Sequence, residues 1–241
     1  MTALDDLAPV PFHDADAPQR ARMLSRLADT ELAVALVTEP AGDRVDLRIF
    51  PLDAGPVALA CDAEDRLAGF LGGPVAYAAM PGRVLAGLLK SEGAGLLVNP
   101  GHPSEMLLDA AMLDWLTSAL AAAPEPTDAR LRLTAPAPAV VETLAQPLAE
   151  RLADMRGLIA GAALAGAGHG HVVLIAGADP AHQPTIAKAL AEALAFLPPQ
   201  SGGVDVSFTD ATLPAGILRF DLTPPEVPEP APRPKGPPIL R

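Results

Sequence analysis

The chain has 241 residues, half of them hydrophobic, which is enough to bury a sizeable core in one large domain or two of ordinary size. Its formal charge of -12, with 17 basic against 29 acidic groups and lysine only at Lys90, Lys188 and Lys235, repels phosphate backbones and anionic lipid and argues against nucleic acid or a membrane as partner. The lone Cys61 excludes an internal disulfide and an all-cysteine metal cage and fits a reducing cytoplasm, and the opening Met-Thr-Ala-Leu-Asp-Asp-Leu has neither the basic nor the apolar run of a signal peptide.

Asp16 followed by Ala-Pro-Gln opens the first predicted helix, a capping carboxylate with proline in the first turn; Met23, Leu24 and Leu27 form its apolar face to about Ala28. Residues 31–37 are apolar throughout and read as a buried strand. Val45, Leu47 and Ile49 alternate with Asp46 and Arg48 as a strand with one wet face does, after a turn over 41–43. Val57, Leu59 and Cys61 repeat the alternation, a short helix over 63–70 follows with Asp62 as its cap, and 74–80 is extended. The spacing of Val84, Leu85, Leu88 and Leu89 predicts a helix over 82–91, ended by Gly93 and Gly95. A hairpin then pairs 96–98 with 106–108. Its tip, Asn99-Pro100-Gly101-His102, fits a type II turn, proline fixing the second φ and glycine supplying a positive third. Asp109 caps a helix to about Ala122, with Met112, Leu113, Leu116 and Leu120 inward and Trp115 beside them.

The stretch 123–129, with Pro124, Pro126, Glu125 and Asp128, is polar and stiff, and divides the chain into domains over 1–123 and 130–222. The second begins with a strand over 130–134 and a helix over 139–154, broken or kinked at Pro147. Residues 157–178 carry no charge and are long enough to span a bilayer as a helix, but six glycines and the Gly-His-Gly-His run break them into a hairpin of 158–165 with 171–176. A helix over 180–195 presents Ile186, Leu190 and Leu194, and strands over 204–208 and 217–222 close the unit. The fold class is therefore α/β of the α+β kind, two domains with mixed sheets flanked by helices. Residues 223–241 are proline-rich and read as a disordered tail, whose final Ile239, Leu240 and Arg241 are a candidate anchor for a protein partner.

With this order of elements in hand, residues 20 to 120 or so resemble the SseB family of bacterial proteins, named for an enhanced serine sensitivity phenotype. The resemblance is carried by Leu27-Ala-Asp-Thr-Glu-Leu, Val57-Ala-Leu-Ala-Cys-Asp-Ala-Glu-Asp, Tyr77-Ala-Ala-Met and Gly95-Leu-Leu-Val-Asn-Pro-Gly. The second half resembles the SseB C-terminal domain through Val172-Val-Leu-Ile-Ala, the long helix and Val204-Asp-Val-Ser-Phe, and departs from it in having fewer aromatics. The resemblance supplies no catalytic residues.

His169 and His171, two apart, leave one face of a strand and offer two ligands to a zinc or nickel ion, but nothing nearby completes the site. His102, Ser104 and Glu105 are the residue types of a hydrolase triad without the elbow that presents a nucleophile. Gly166-Ala-Gly168-His-Gly170-His lacks the final small residue and following helix of a dinucleotide loop. Cys61 faces inward as an inert thiol, and Asp62, Glu64 and Asp65 read as a solvated turn. No cofactor and no metal is expected: the polar side chains read as caps, turns and solvation, with none converging, and Asn99, Pro100 and Gly101 as a structural turn. These observations imply a non-catalytic cytoplasmic binding or regulatory protein acting through protein–protein contacts, with a homodimer among the expected assemblies. Two alternatives stay open, a small-molecule enzyme linked to amino-acid (serine) metabolism and a type III secretion-associated component or chaperone.

Overall fold

A computed structural model describes residues 1–40, 45–53, 55–125 and 131–223. The expected turn at 41–43, most of the connection after Glu125, Arg130 and the tail with Ile239, Leu240 and Arg241 lie outside them. Over the described residues, seven helices and two mixed sheets form an α+β protein.

The first sheet holds β1 (Glu31–Ala35), β2 (Ile49–Leu52), β3 (Gly55–Cys61), β4 (Tyr77–Pro81), β5 (Gly95–Val98) and β6 (Met106–Leu108). Its order is β4-β1-β3-β5-β6, with β2 paired to the first half of β3 and β1 to the second half. All of these pairs are antiparallel except β3 with β5, whose parallel pairing is allowed by the long crossover between them. Alternation along β3 holds only as direction. Leu59 and Cys61 pack toward Leu67 of α3 (Glu64–Leu71), while Ala58 and Ala60 pack under the helices of the opposite face. Both faces of β3 are covered from Val57 to Cys61, so that stretch has no wet face. The strand expected over 45–49 is displaced: only a bridge from Leu36 to Leu47 forms there, and regular pairing begins at Ile49.

The main core lies between this sheet and α2 (Ala17–Asp29), α4 (Gly82–Glu92) and α5 (Ala110–Leu120). Asp16 caps α2 by accepting from the Gln19 N–H at 2.8 Å, and Asp109 caps α5 through Met112 N–H at 2.8 Å. A short α1 (Ala3–Asp6) ahead of them, closed by a Thr2–Asp5 capping box, buries Leu4. On α4 the buried stripe is Gly82, Leu85, Ala86 and Leu89; Val84 and Leu88, expected inward, are exposed. Gly82 sets that rotation, because a Cβ there would collide with the Leu27 carbonyl at the end of α2. Small residues thus let helix and strand backbones approach closely in a core with few rings.

The second sheet runs β10-β9-β8-β11 through β8 (Gly161–Ala167), β9 (Gly170–Ala176), β10 (Val204–Thr209) and β11 (Leu218–Phe220), with β7 (Leu133–Thr134) added to β8. The charge-free stretch forms the β8–β9 hairpin, Ala162 opposite Ile175 and Leu164 opposite Val173, and among the described residues no helix is long and apolar enough to cross a membrane. One face is covered by α6 (Pro138–Ala153) and α7 (Gln183–Ala195). The helix α6 runs uninterrupted through Pro147, since Val140, Leu144, Leu148 and Leu152 form a buried i, i+4 stripe. Burial of that stripe outweighs the roughly 3 kcal/mol an internal proline costs. Phe196, just past α7, does not join this core. It is 6 % exposed and belongs to the first one, beside Met23, Leu24, Leu113 and Leu116.

Candidate functional site

Strands β3 and β5 end side by side, and the residues that follow them, Asp62 and Asn99, begin a buried polar network. The Asn99 N–H donates to the Ala60 carbonyl at 3.0 Å, and its side-chain Oδ1 accepts from the Asp62 N–H at 2.9 Å, which ties the two strand ends together. At Gly101 φ is 75°, and the His102 N–H returns to the Asn99 carbonyl at 3.1 Å, closing the hairpin tip around Pro100. Asn99 itself has φ 46°, a left-handed conformation that asparagine tolerates better than most side chains. Its Nδ2 donates to Ser104 Oγ at 2.9 Å, and the Ser104 hydroxyl donates to Asp5 Oδ1 at 2.6 Å.

Asp5 is held from the other side by Arg66 of α3. Arg66 Nη1 donates to Asp5 Oδ1 at 3.2 Å and to Asp62 Oδ1 at 3.1 Å, and Nη2 reaches the second oxygen of Asp5. Thr2 completes the set, with its N–H on Asp5 Oδ2 at 3.1 Å and its hydroxyl on Asp62 Oδ2 at 2.5 Å. Asn99 and Ser104 are fully buried and Asp5 nearly so. The Arg66 guanidinium holds the Asp5 carboxyl well below the usual carboxylate range; burial opposes this, and the Ser104 and Thr2 donors add to it.

Several expectations change here. Polar side chains do converge, although on one another. Asp62 does not cap α3, whose N-cap is Ala63 with no side-chain bond; its carboxylate is turned to Arg66 and Thr2. Glu64 and Asp65 are exposed in the first turn of α3. Ser104 is joined to Asp5 and Asn99 rather than to His102 or Glu105, and Glu105 Oε2 accepts from the Gly101 N–H at 2.6 Å and so braces the turn. Cys61 is buried, and burial pushes its thiol up to about 11.

In the second unit His169 is exposed at the β8–β9 turn, while His171 is buried on β9, its Nε2 accepting from the Ala137 N–H at 3.2 Å. That bond occupies Nε2 and takes it out of use as a ligand. Among the described residues no group of three His, Cys, Asp or Glu side chains is arranged to hold a metal ion. The glycines at 166, 168 and 170 serve an antiparallel hairpin, with Gly166 opposite His171.

A second feature lies along the seam between the units. Arg83 pairs with Asp29 and, at 3.2 Å, with Glu192 of α7; Arg151 of α6 reaches Asp29 at 2.7 Å, and Arg22 reaches Glu150 at 2.6 Å. Burial raises the Asp29 carboxyl, yet Arg83 and Arg151 together outweigh it and hold the group below its ordinary value. Beside these pairs runs a groove of about 630 Å³ whose lining includes Leu24, Met112, Trp115, Phe196 and Pro198 together with the charged Arg20 and Asp109. Trp115 is 45 % exposed and meets Phe196 edge to face, centroids 5.4 Å apart.

Residues 11–115 match the family model of the SseB protein N-terminal domain. No curated protein and no solved structure matches the chain. The matched span contains Asp62, Arg66, Asn99 and Ser104, whereas Thr2 and Asp5 precede it. Arg66 and Asp5 were not singled out from the sequence. The signals were there in the four-residue step from Asp62 to Arg66 and the Thr-x-x-Asp spacing of a capping box.

Proposed function

We propose that the chain is a non-catalytic binding or regulatory protein of the SseB family that acts through protein–protein contacts. The observation that carries this reading is the groove under Trp115. An exposed tryptophan backed by a buried phenylalanine and flanked by Pro18, Pro198 and Pro199 is the kind of rigid apolar anchor around which protein interfaces concentrate their energy. The predominantly apolar lining favours this over a small-molecule enzyme linked to serine metabolism, which needs several polar groups aimed at one substrate.

The same reading takes the partner to be a protein rather than nucleic acid, on the strength of the acidic charge, and the location to be the cytoplasm. It takes residues 1–123 and 130–222 as two domains, the second similar to the SseB C-terminal domain, and Ile239, Leu240 and Arg241 as an additional partner anchor. Affinity capture with the full-length chain, followed by titration of the purified partner, tests it. Trp115→Ser is expected to weaken binding by about tenfold or more, ~1.4 kcal/mol. Equal affinity for the two forms removes the groove from the reading, and equal affinity of a chain ending at Leu222 removes the tail anchor.

A further inference from the structure

The carboxylate of Asp5 sits in a receptor made by other parts of the chain. Arg66 meets it with two nitrogens, the Ser104 hydroxyl donates to it, and Asn99 aims that hydroxyl by donating to its oxygen. Three observations set this apart from an ordinary ion pair. The donors stand beyond the carboxyl ends of β3 and β5, the parallel pair, which is where α/β sheets place ligands. Asn99, which orients the donor, is held at φ 46°, and strained non-glycine backbone of this kind clusters at binding sites. Every receptor side chain lies within the matched span 11–115, while Thr2 and Asp5, which fill the receptor, lie ahead of it.

We propose that Arg66, Asn99, Ser104 and Asp62 form a binding site for a small carboxylic acid that also carries a hydrogen-bond donor, an α-hydroxy or α-amino acid, and that residues 2–5 occupy it as an internal stand-in. Asp5 takes the place of the ligand's carboxylate. Thr2 Oγ1, on Asp62 Oδ2 at 2.5 Å, takes the place of its hydroxyl or ammonium. Asp62 gives the site its selectivity: it shares Arg66 with the incoming carboxylate, so an anion without a donor meets a partly neutralised guanidinium and an unsatisfied Asp62 oxygen. Ligand entry lifts residues 1–7 away and withdraws Leu4 from the core, while Phe12, 1 % exposed like Leu4, keeps the following segment in place.

The test uses the full-length chain with Asp5→Ala, which empties the receptor of its carboxylate, and follows the thermal midpoint with glycolate, acetate, sulfate or chloride at matched ionic strength. Glycolate at about 100 mM is expected to raise the variant's midpoint by about 3 °C more than chloride does, acetate by less, and the wild type by under about 1 °C. Adding Asp62→Asn is expected to abolish the preference for glycolate over acetate. If Asp5→Ala does not fold, amide exchange of residues 2–8 in the wild type is measured instead, and glycolate is expected to accelerate it several-fold with other amides unchanged. Stabilisation no greater than that by chloride, an equal effect of sulfate, or unchanged exchange of residues 2–8 overturns the proposal. None of these outcomes involves the Trp115 groove, so they leave the proposed partner binding to its own test.

Discussion

Phe196 of the second unit packs edge-on against Trp115 of the first, their centroids 5.4 Å apart, and buries its ring in the first unit's core. The contact joins two cores that ion pairs alone would hold weakly, since partly exposed pairs such as Arg22–Glu150 contribute at most about 1 kcal/mol each. Phe196→Ala is therefore expected to destabilise the whole chain by about 3 kcal/mol in urea unfolding, with a change in Trp115 fluorescence in the folded state. A loss below about 1 kcal/mol would place the ring outside the core.

Asp5 gives the stability an acid limb. Its folded value is depressed below the ordinary aspartate value of about 3.9, so the stability it contributes is fully present above that value and is lost as pH falls toward the folded one. Asp5→Asn is expected to cost about 3 kcal/mol at pH 7, and the gap to the wild type is expected to close progressively below about pH 4. Urea melts of both proteins across that range measure it; a gap independent of pH excludes the carboxylate as its source.

Cys61 combines complete burial with a thiol raised to about 11. At pH 8 the native protein is expected to resist iodoacetamide, with modification rising in step with the unfolded fraction as urea is added. Mass spectrometry after a short pulse reads this directly, and rapid labelling of the folded chain would contradict the packing of β3.

Gly82→Ala tests the close approach of α4 to α2. Alanine is the better helix former, but its Cβ would meet the Leu27 carbonyl. The expected result is a loss of about 1–3 kcal/mol in place of the usual gain, seen as a lower thermal midpoint.

Local chemistry made much of this fold readable. Asp16 and Asp109 capped their helices because a short carboxylate before an apolar period satisfies the free N–H groups of the first turn. The hairpin of β5 and β6 followed from alternation and turn residues, and the Gly157-to-Ala178 stretch resolved into strands because its glycines interrupt any helix. What the sequence hid depends on contacts distant along the chain. Val84 and Leu88 share the helical period of Leu85 and Leu89, and only the collision at Gly82 decides which pair turns inward. Ser104 donates to Asp5, 99 residues away, a pairing that its near neighbours His102 and Glu105 do not reveal. Phe196 directly follows a helix whose apolar stripe points at its own sheet, and nothing local to it reveals that the ring ends in the other core.

The placement of Phe196 bears on how the protein is dissected. A fragment stopping after α5 would keep its sheet and helices but open an unfilled hole beside Leu24, Leu113 and Leu116, ringed by greasy side chains and the bare edge of Trp115. Such a fragment would self-associate through that hole, and its stickiness would be an artefact of where the gene was cut.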